Sequence, residues 1–95
     1  MSNQADDNNL DVLIYPRYEG AVIFAVSRTG APTELLDLLD AQGFTRHQEA
    51  IYVWHQLRED IPGLQAAGIC ARAHKALTAA GFNAHLDDRL IVRIG

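Results

Sequence analysis

One six-residue phrase occurs twice in this chain. Leu39-Asp40-Ala41-Gln42-Gly43-Phe44 returns 38 residues later as Leu77-Thr78-Ala79-Ala80-Gly81-Phe82. Each copy closes a stretch of helical periodicity and opens one of strand-like alternation. Glycine enters the left-handed backbone region without steric penalty. An apolar residue after it then packs back onto the third-from-last helical position, which is the Schellman stop. The phrase therefore predicts two helix ends and two strand starts, with Phe44 against Leu39 and Phe82 against Leu77. Three residues past each phenylalanine stands a histidine, His47 or His85. The repeat anchors an architecture and supplies no chemistry.

The helices that these stops close can be read backwards. Pro32 suits a first helical turn, where its missing N–H is no loss. From there Leu35, Leu36, Leu38, Leu39 and Gln42 form one broad stripe, while Glu34, Asp37 and Asp40 point away. A second helix is expected from Asp60 or Pro62 to Ala80, with Ala66, Ile69, Cys70, Ala73, Leu77 and Ala80 inward and Arg72 and Lys75 outward. Gly63 and Gly68 weaken its first half, by about 1 kcal/mol each relative to alanine.

Strand-like runs fill the remainder. Residues 12–15 and 21–26 flank a connector with Pro16 and Gly20, which reads as a hairpin with a longer loop. Residues 44–47 and 50–55 flank Gln48-Glu49 as a second hairpin. Residues 83–86 and 89–94, around Asp87-Asp88, read as a closing hairpin or one long bent strand. Residues 1–10 lack periodicity and read as a disordered leader, leaving 11–95 as a single domain. The expected fold is α+β, ββαββα followed by a closing strand pair, with two helices on one face of a mostly antiparallel sheet.

A two-layer sandwich should show water a polar second sheet face. This one does not. Val22, Phe24 and Val26 alternate with Ala21, Ile23 and Ala25, and Ile51, Val53 and His55 with Ala50, Tyr52 and Trp54, so both faces are largely apolar. A contiguous apolar patch marks a partner surface. The expected working surface carries Tyr15, Ile23, Tyr52 and Trp54, and the expected first partner is a second copy of the chain, with another protein also possible.

Bulk properties narrow the function classes. With 48% hydrophobic and 21% charged residues in 95, the chain is a globular domain and not a disordered one. A single cysteine allows no internal disulfide and suits a reducing compartment. No run approaches the roughly 18 apolar residues of a membrane span, and the polar start resembles no secretory signal, so a cytoplasmic location is expected. The net charge of −4 owes much to Asp6, Asp7 and Asp11, since nine acids face eight bases from residue 12 onward. A near-neutral fold argues against affinity built on neutralising phosphates.

The chemical candidates are weak. Cys70 and His74 stand four apart on one helix, the spacing of a metal or thiol–imidazole pair, but Cys70 falls in the apolar stripe. His47 and His85 hold equivalent places and read as polar residues on the wet side of hairpins. Asp87-Asp88 is turn chemistry, and Glu59-Asp60 suits a helix start. No phosphate-loop, dinucleotide, zinc-protease, nucleophile-elbow or CxxC pattern is present. The expectation is a non-enzymatic binding module without a cofactor. The competing class is nucleic-acid binding, with Tyr52, Trp54 and Tyr15 stacking on bases and Arg17, Arg28, Arg46, Arg89 and Arg93 tracking phosphates.

Residues 36–82, through Gly43-Phe44, Ile51-Tyr52-Val53-Trp54 and the Leu77–Phe82 phrase, resemble small uncharacterised actinobacterial domains with helix-ending glycine–aromatic stops. The resemblance covers about half the chain. It implies a small bacterial accessory protein and carries no functional residue across.

Overall fold

A computed structural model describes residues 4–17, 22–50, 52–58 and 60–90 of the chain. The chain is α+β, with a mostly antiparallel five-stranded sheet. In order the elements are α1 (Gln4–Asp7), β1 (Val12–Arg17), β2 (Val22–Ser27), α2 (Thr33–Ala41), β3 (Thr45–Glu49), β4 (Tyr52–Gln56), α3 (Gly63–Ala79) and β5 (Ala84–Leu86), then a 3-10 turn at Asp88–Leu90. Across the sheet the strands run β3-β4-β2-β1-β5.

Both repeated phrases end their helices as Schellman stops. Phe44 N–H donates to the Leu39 carbonyl at 3.2 Å and Phe82 N–H to the Leu77 carbonyl at 3.0 Å. Gly43 and Gly81 sit at φ 103° and 93°, the backbone region for which glycine is suited. Each helix starts after a proline in extended conformation, Pro32 or Pro62. α3 runs unbroken through Gly63 and Gly68, because tertiary packing of its inner stripe outweighs their weak helix propensity.

Helices α2 and α3 lie on one face of the sheet. Leu35, Leu39, Ile69, Cys70, Ala73 and Leu77 join Val12, Ile14 and Ala25 of the central strands in a single buried cluster, which Phe44 and Leu57 complete. The inward stripes read from helical periodicity match this core except at Ala80, which caps α3 and is exposed, and Leu64, opposite the stripe of α3, stands 79% exposed.

Four local readings need correction. The stretch 1–10 is not a featureless leader over residues 4–10. α1 buries Ala5 completely, and Asp6 accepts hydrogen bonds from Thr29 N–H at 3.1 Å and Thr29 Oγ1 at 2.7 Å. The first strand does not stop at Tyr15. Pro16 pairs with Ile23 and Arg17 with Val22, which is allowed because β5 accompanies β1 only from Val12 to Ile14, leaving Pro16 on an edge-like segment. The second hairpin turns later than Gln48-Glu49, because both belong to β3, Glu49 already pairs with Tyr52, and Ala50 follows at φ 54°.

The fourth correction concerns the closing pair. β5 lies parallel to β1 at the sheet edge, since α3 carries the chain back across the sheet before β5 begins. Arg89 and Leu90 belong to the 3-10 turn and not to a return strand. Residues 91–95, including Arg93, lie outside the described residues.

Candidate docking face of the sheet

Cross-strand register decides which side chains share the sheet face opposite α2 and α3. Tyr15 pairs with Phe24, Phe24 with Gln56, and Trp54 with His47, so these belong to one face. Ile23 pairs with Pro16 and packs against the helix-side core. Its place beside Tyr15 and Trp54 is therefore taken by Phe24. Sequence alternation had separated Ile23 from Phe24 correctly. Which of the two faces Tyr15 depends on loop length, and alternation along one strand carries no information about that. The Tyr52 side chain lies outside what the structure describes.

The outer face carries two aromatic pairs. Tyr15 and Phe24 meet with ring centroids 6.3 Å apart at 55°, and His47 stacks on Trp54 at 5.5 Å and 10°. The Arg17 guanidinium lies 4.9 Å from the Phe24 centroid, a cation–π distance. Gln56, opposite Phe24, accepts the Trp54 indole N–H at 3.1 Å and so bridges the two pairs. Leu13 and Val26 sit opposite each other on the same face. All of these apolar side chains are half-buried by their neighbours. The face is apolar and aromatic, with each of these side chains partly open.

Beneath β4, on the helix side, lies a polar network that sequence reading missed. His55 is fully buried and its Nε2 lies 2.9 Å from Asp40 Oδ1. Arg46 reaches the other Asp40 oxygen at 2.7 Å and Asp37 at 3.0 Å. Burial pulls the His55 pKa below its usual 6.5, and Arg46 adds to this, while Asp40 and the Leu36 backbone oppose it only in part. The signal was available in the alternation, which places His55 inward with Val53. A polar side chain on a buried face needs a partner, and Asp40 is near because Gly43 turns the chain back.

The remaining candidates are dispersed. Arg28 pairs with Asp11 at 2.8 Å and Arg89 with Asp87 at 3.0 Å. Arg46, by its register opposite His55, lies on the helix side. Three of the proposed phosphate contacts are thus bonded to carboxylates, none of them beside Trp54 on the outer face. Asp87 accepts from the guanidinium and then the backbone N–H of Arg89, which bring its carboxyl down to about 2. His85 is exposed at the β5 edge. Cys70 is sealed in the core, with burial pushing its thiol up to about 11, and His74 Nε2 bonds to the Ala84 carbonyl at 3.1 Å to tie α3 to β5. Such a thiol is a poor nucleophile.

A hollow of about 190 Å³ opens between Ser27, Arg28, Gly30, Ala31, Leu36 and Val53. Its cation is already held by Asp11. Among the described residues no helix is long and apolar enough to cross a membrane. Comparison with protein-family models, with curated proteins and with solved structures finds no match to this chain.

Proposed function

We propose that this chain is a small, non-enzymatic binding module that acts through protein–protein association, with a second copy of itself as the first partner. The observation that carries the reading is the aromatic outer face, where Tyr15, Phe24 and Trp54 occupy the side of the sheet that α2 and α3 leave alone. Rings with polar handles are what protein interfaces favour. Magnitude refines the claim. A standard interface buries about 800 Å² per partner, and the apolar side chains here are already half-buried by one another. Association through it is therefore exchangeable, in the micromolar range of about −8 kcal/mol, and not that of a permanent dimer.

Sedimentation velocity across a concentration series tests this. The native chain should show a rising average mass, Trp54→Ala should weaken association by about 2 kcal/mol if the indole is a hot spot, and Leu64→Ala on the exposed side of α3 should change nothing. A native chain that stays monomeric up to millimolar concentration, about −4 kcal/mol, removes the self-association reading. The nucleic-acid alternative has less support, because Arg28, Arg46 and Arg89 are engaged by carboxylates. It requires tryptophan quenching by single-stranded oligonucleotide with steep salt dependence.

A further inference from the structure

We propose that the β3–β4 hairpin is an acid-released flap, latched to helix α2 by His55. The hairpin pairs more fully within itself than with the rest of the sheet. β3 and β4 pair over five positions, from Thr45↔Gln56 to Glu49↔Tyr52. Among the described residues β4 pairs with β2 at two, Phe24↔Gln56 and Ala25↔His55, with one further bond from Leu57 N–H to the Ile23 carbonyl at 3.0 Å. Toward the turn, Val53 faces Ser27 and Leu36 across a shared hollow and not through ladder pairing. His55 sits in the β4–β2 seam, and through Asp40 it ties the hairpin to α2.

The latch is built to be proton-sensitive. A carboxylate only accepts, so the neutral ring donates its Nε2 hydrogen to Asp40 and leaves Nδ1 as a bare lone pair. Nδ1 is enclosed and has no hydrogen-bond partner. Acid puts a proton there, creating a buried cation whose desolvation Asp40 and the Leu36 backbone offset only in part. The charged groups facing the ring are Asp40 and, behind it, Asp37 from α2, and Arg46 from β3. Opposite on β2 stands Ala25, and in the core stripe of α3 the titratable group is Cys70, neutral throughout. Asp40 cannot compensate the new charge fully, because Arg46 already holds it at 2.7 Å.

The direction of the response follows. The enclosed ring binds its proton less readily than a released one, whose ordinary value is 6.5. The open hairpin therefore takes up more protons than the closed one. Its closure is fully stable above pH 6.5 and weakens as the pH falls from there toward the lower value of the enclosed ring. The β1–β2 seam has no such group among its six pairs, from Val12↔Ser27 to Arg17↔Val22, and the imidazole at the β1–β5 seam, His85 opposite Leu13, is exposed. Release is consequently local. The latch does not depend on the docking face, although Trp54 rides on the released element.

Native-state amide hydrogen exchange of the full chain, followed by NMR from about pH 7 to pH 5, across the imidazole range, tests the flap. After correction for intrinsic rates, opening of amides 45–56 should rise by up to about tenfold per pH unit below the imidazole value, the slope of one proton. Amides of β1, β2 and α3 should show no such slope. In His55→Gln, which keeps a donor for Asp40 but does not titrate in this range, the hairpin slope should vanish. If that variant does not fold, the contrast within the native chain still decides. A flat hairpin profile, or the same slope in β1 as in β3, overturns the proposal.

Discussion

The two Gly-Phe stops are the same device with different surroundings. After Gly43-Phe44 the chain enters β3, makes an antiparallel hairpin and forms one sheet edge. After Gly81-Phe82 it enters β5, runs parallel to β1 and forms the opposite edge. Phe44 is 4% exposed inside the core, whereas Phe82 is half-buried at its margin. The strand that follows each stop is also tied differently. Asn83 N–H donates to Asp11 at 2.7 Å, and Asp11 in turn holds Arg28. Beyond the first stop, Asp40 binds Arg46 and the buried His55. Identical local grammar thus delivers one branch to a carboxylate tie and the other to an imidazole tie.

The two ties answer acid in sequence. The Asn83 backbone N–H, then Arg28, hold the Asp11 carboxyl below 3.8. A lowered carboxyl stabilises the fold above its unfolded value and fails only as the pH drops through the folded one. The β5 branch should therefore outlast the hairpin branch by more than two pH units on acidification, about 6.5 against below 4.

The comparison is tested most severely by truncating the two rings. Phe44→Ala should destabilise by about 3–5 kcal/mol as a full core deletion, and Phe82→Ala by clearly less. Urea unfolding that gave equal losses would mean that Phe82 is as enclosed as Phe44. The glycines should behave alike where the rings do not. A Cβ at Gly43 or Gly81 meets no atom within 4 Å, so the penalty is purely backbone. Gly43→Ala and Gly81→Ala should each lose about 1–2 kcal/mol, equal within error. A marked inequality would show that one stop carries strain the other lacks. The smallest effect belongs to the hairpin branch alone. Ala50 holds φ 54°, so Ala50→Gly should raise stability by up to about 1 kcal/mol, visible as a small rise in urea midpoint.

Local signals proved legible wherever they were complete within one turn or one strand. The Schellman phrases, most of both helix stripes and the alternation of β1 stand in the structure as read, whereas Ala80, read as inward, is exposed and Val22 is buried apart from Phe24 and Val26. The larger failures share a cause, which is dependence on a second segment. Tyr15 finds Phe24 and not Ile23 because the β1–β2 loop sets the register. Asp40, assigned to a solvated helix face, stays exposed there but also meets the buried His55 that β4 brings beneath it. Residues 83–90 resembled half a hairpin, yet β1 offered a parallel edge and the chain took it. Three of the arginines that looked available for phosphates are matched with carboxylates, two of them from other elements: Arg28 reaches back to Asp11 and Arg46 to Asp37 and Asp40.

Where each helix stops, which side of each strand is greasy, and that two helices and a sheet must share a core are written in neighbouring residues. Short-range torsional sterics and side-chain period are enough to specify them. Which strands become neighbours, which aromatic rings meet on the outer face, and which carboxylate answers the buried imidazole came from folding at long range. Those pairings join residues far apart in the chain, and they are chosen by closing loops over a common core, a choice that no window of adjacent residues contains.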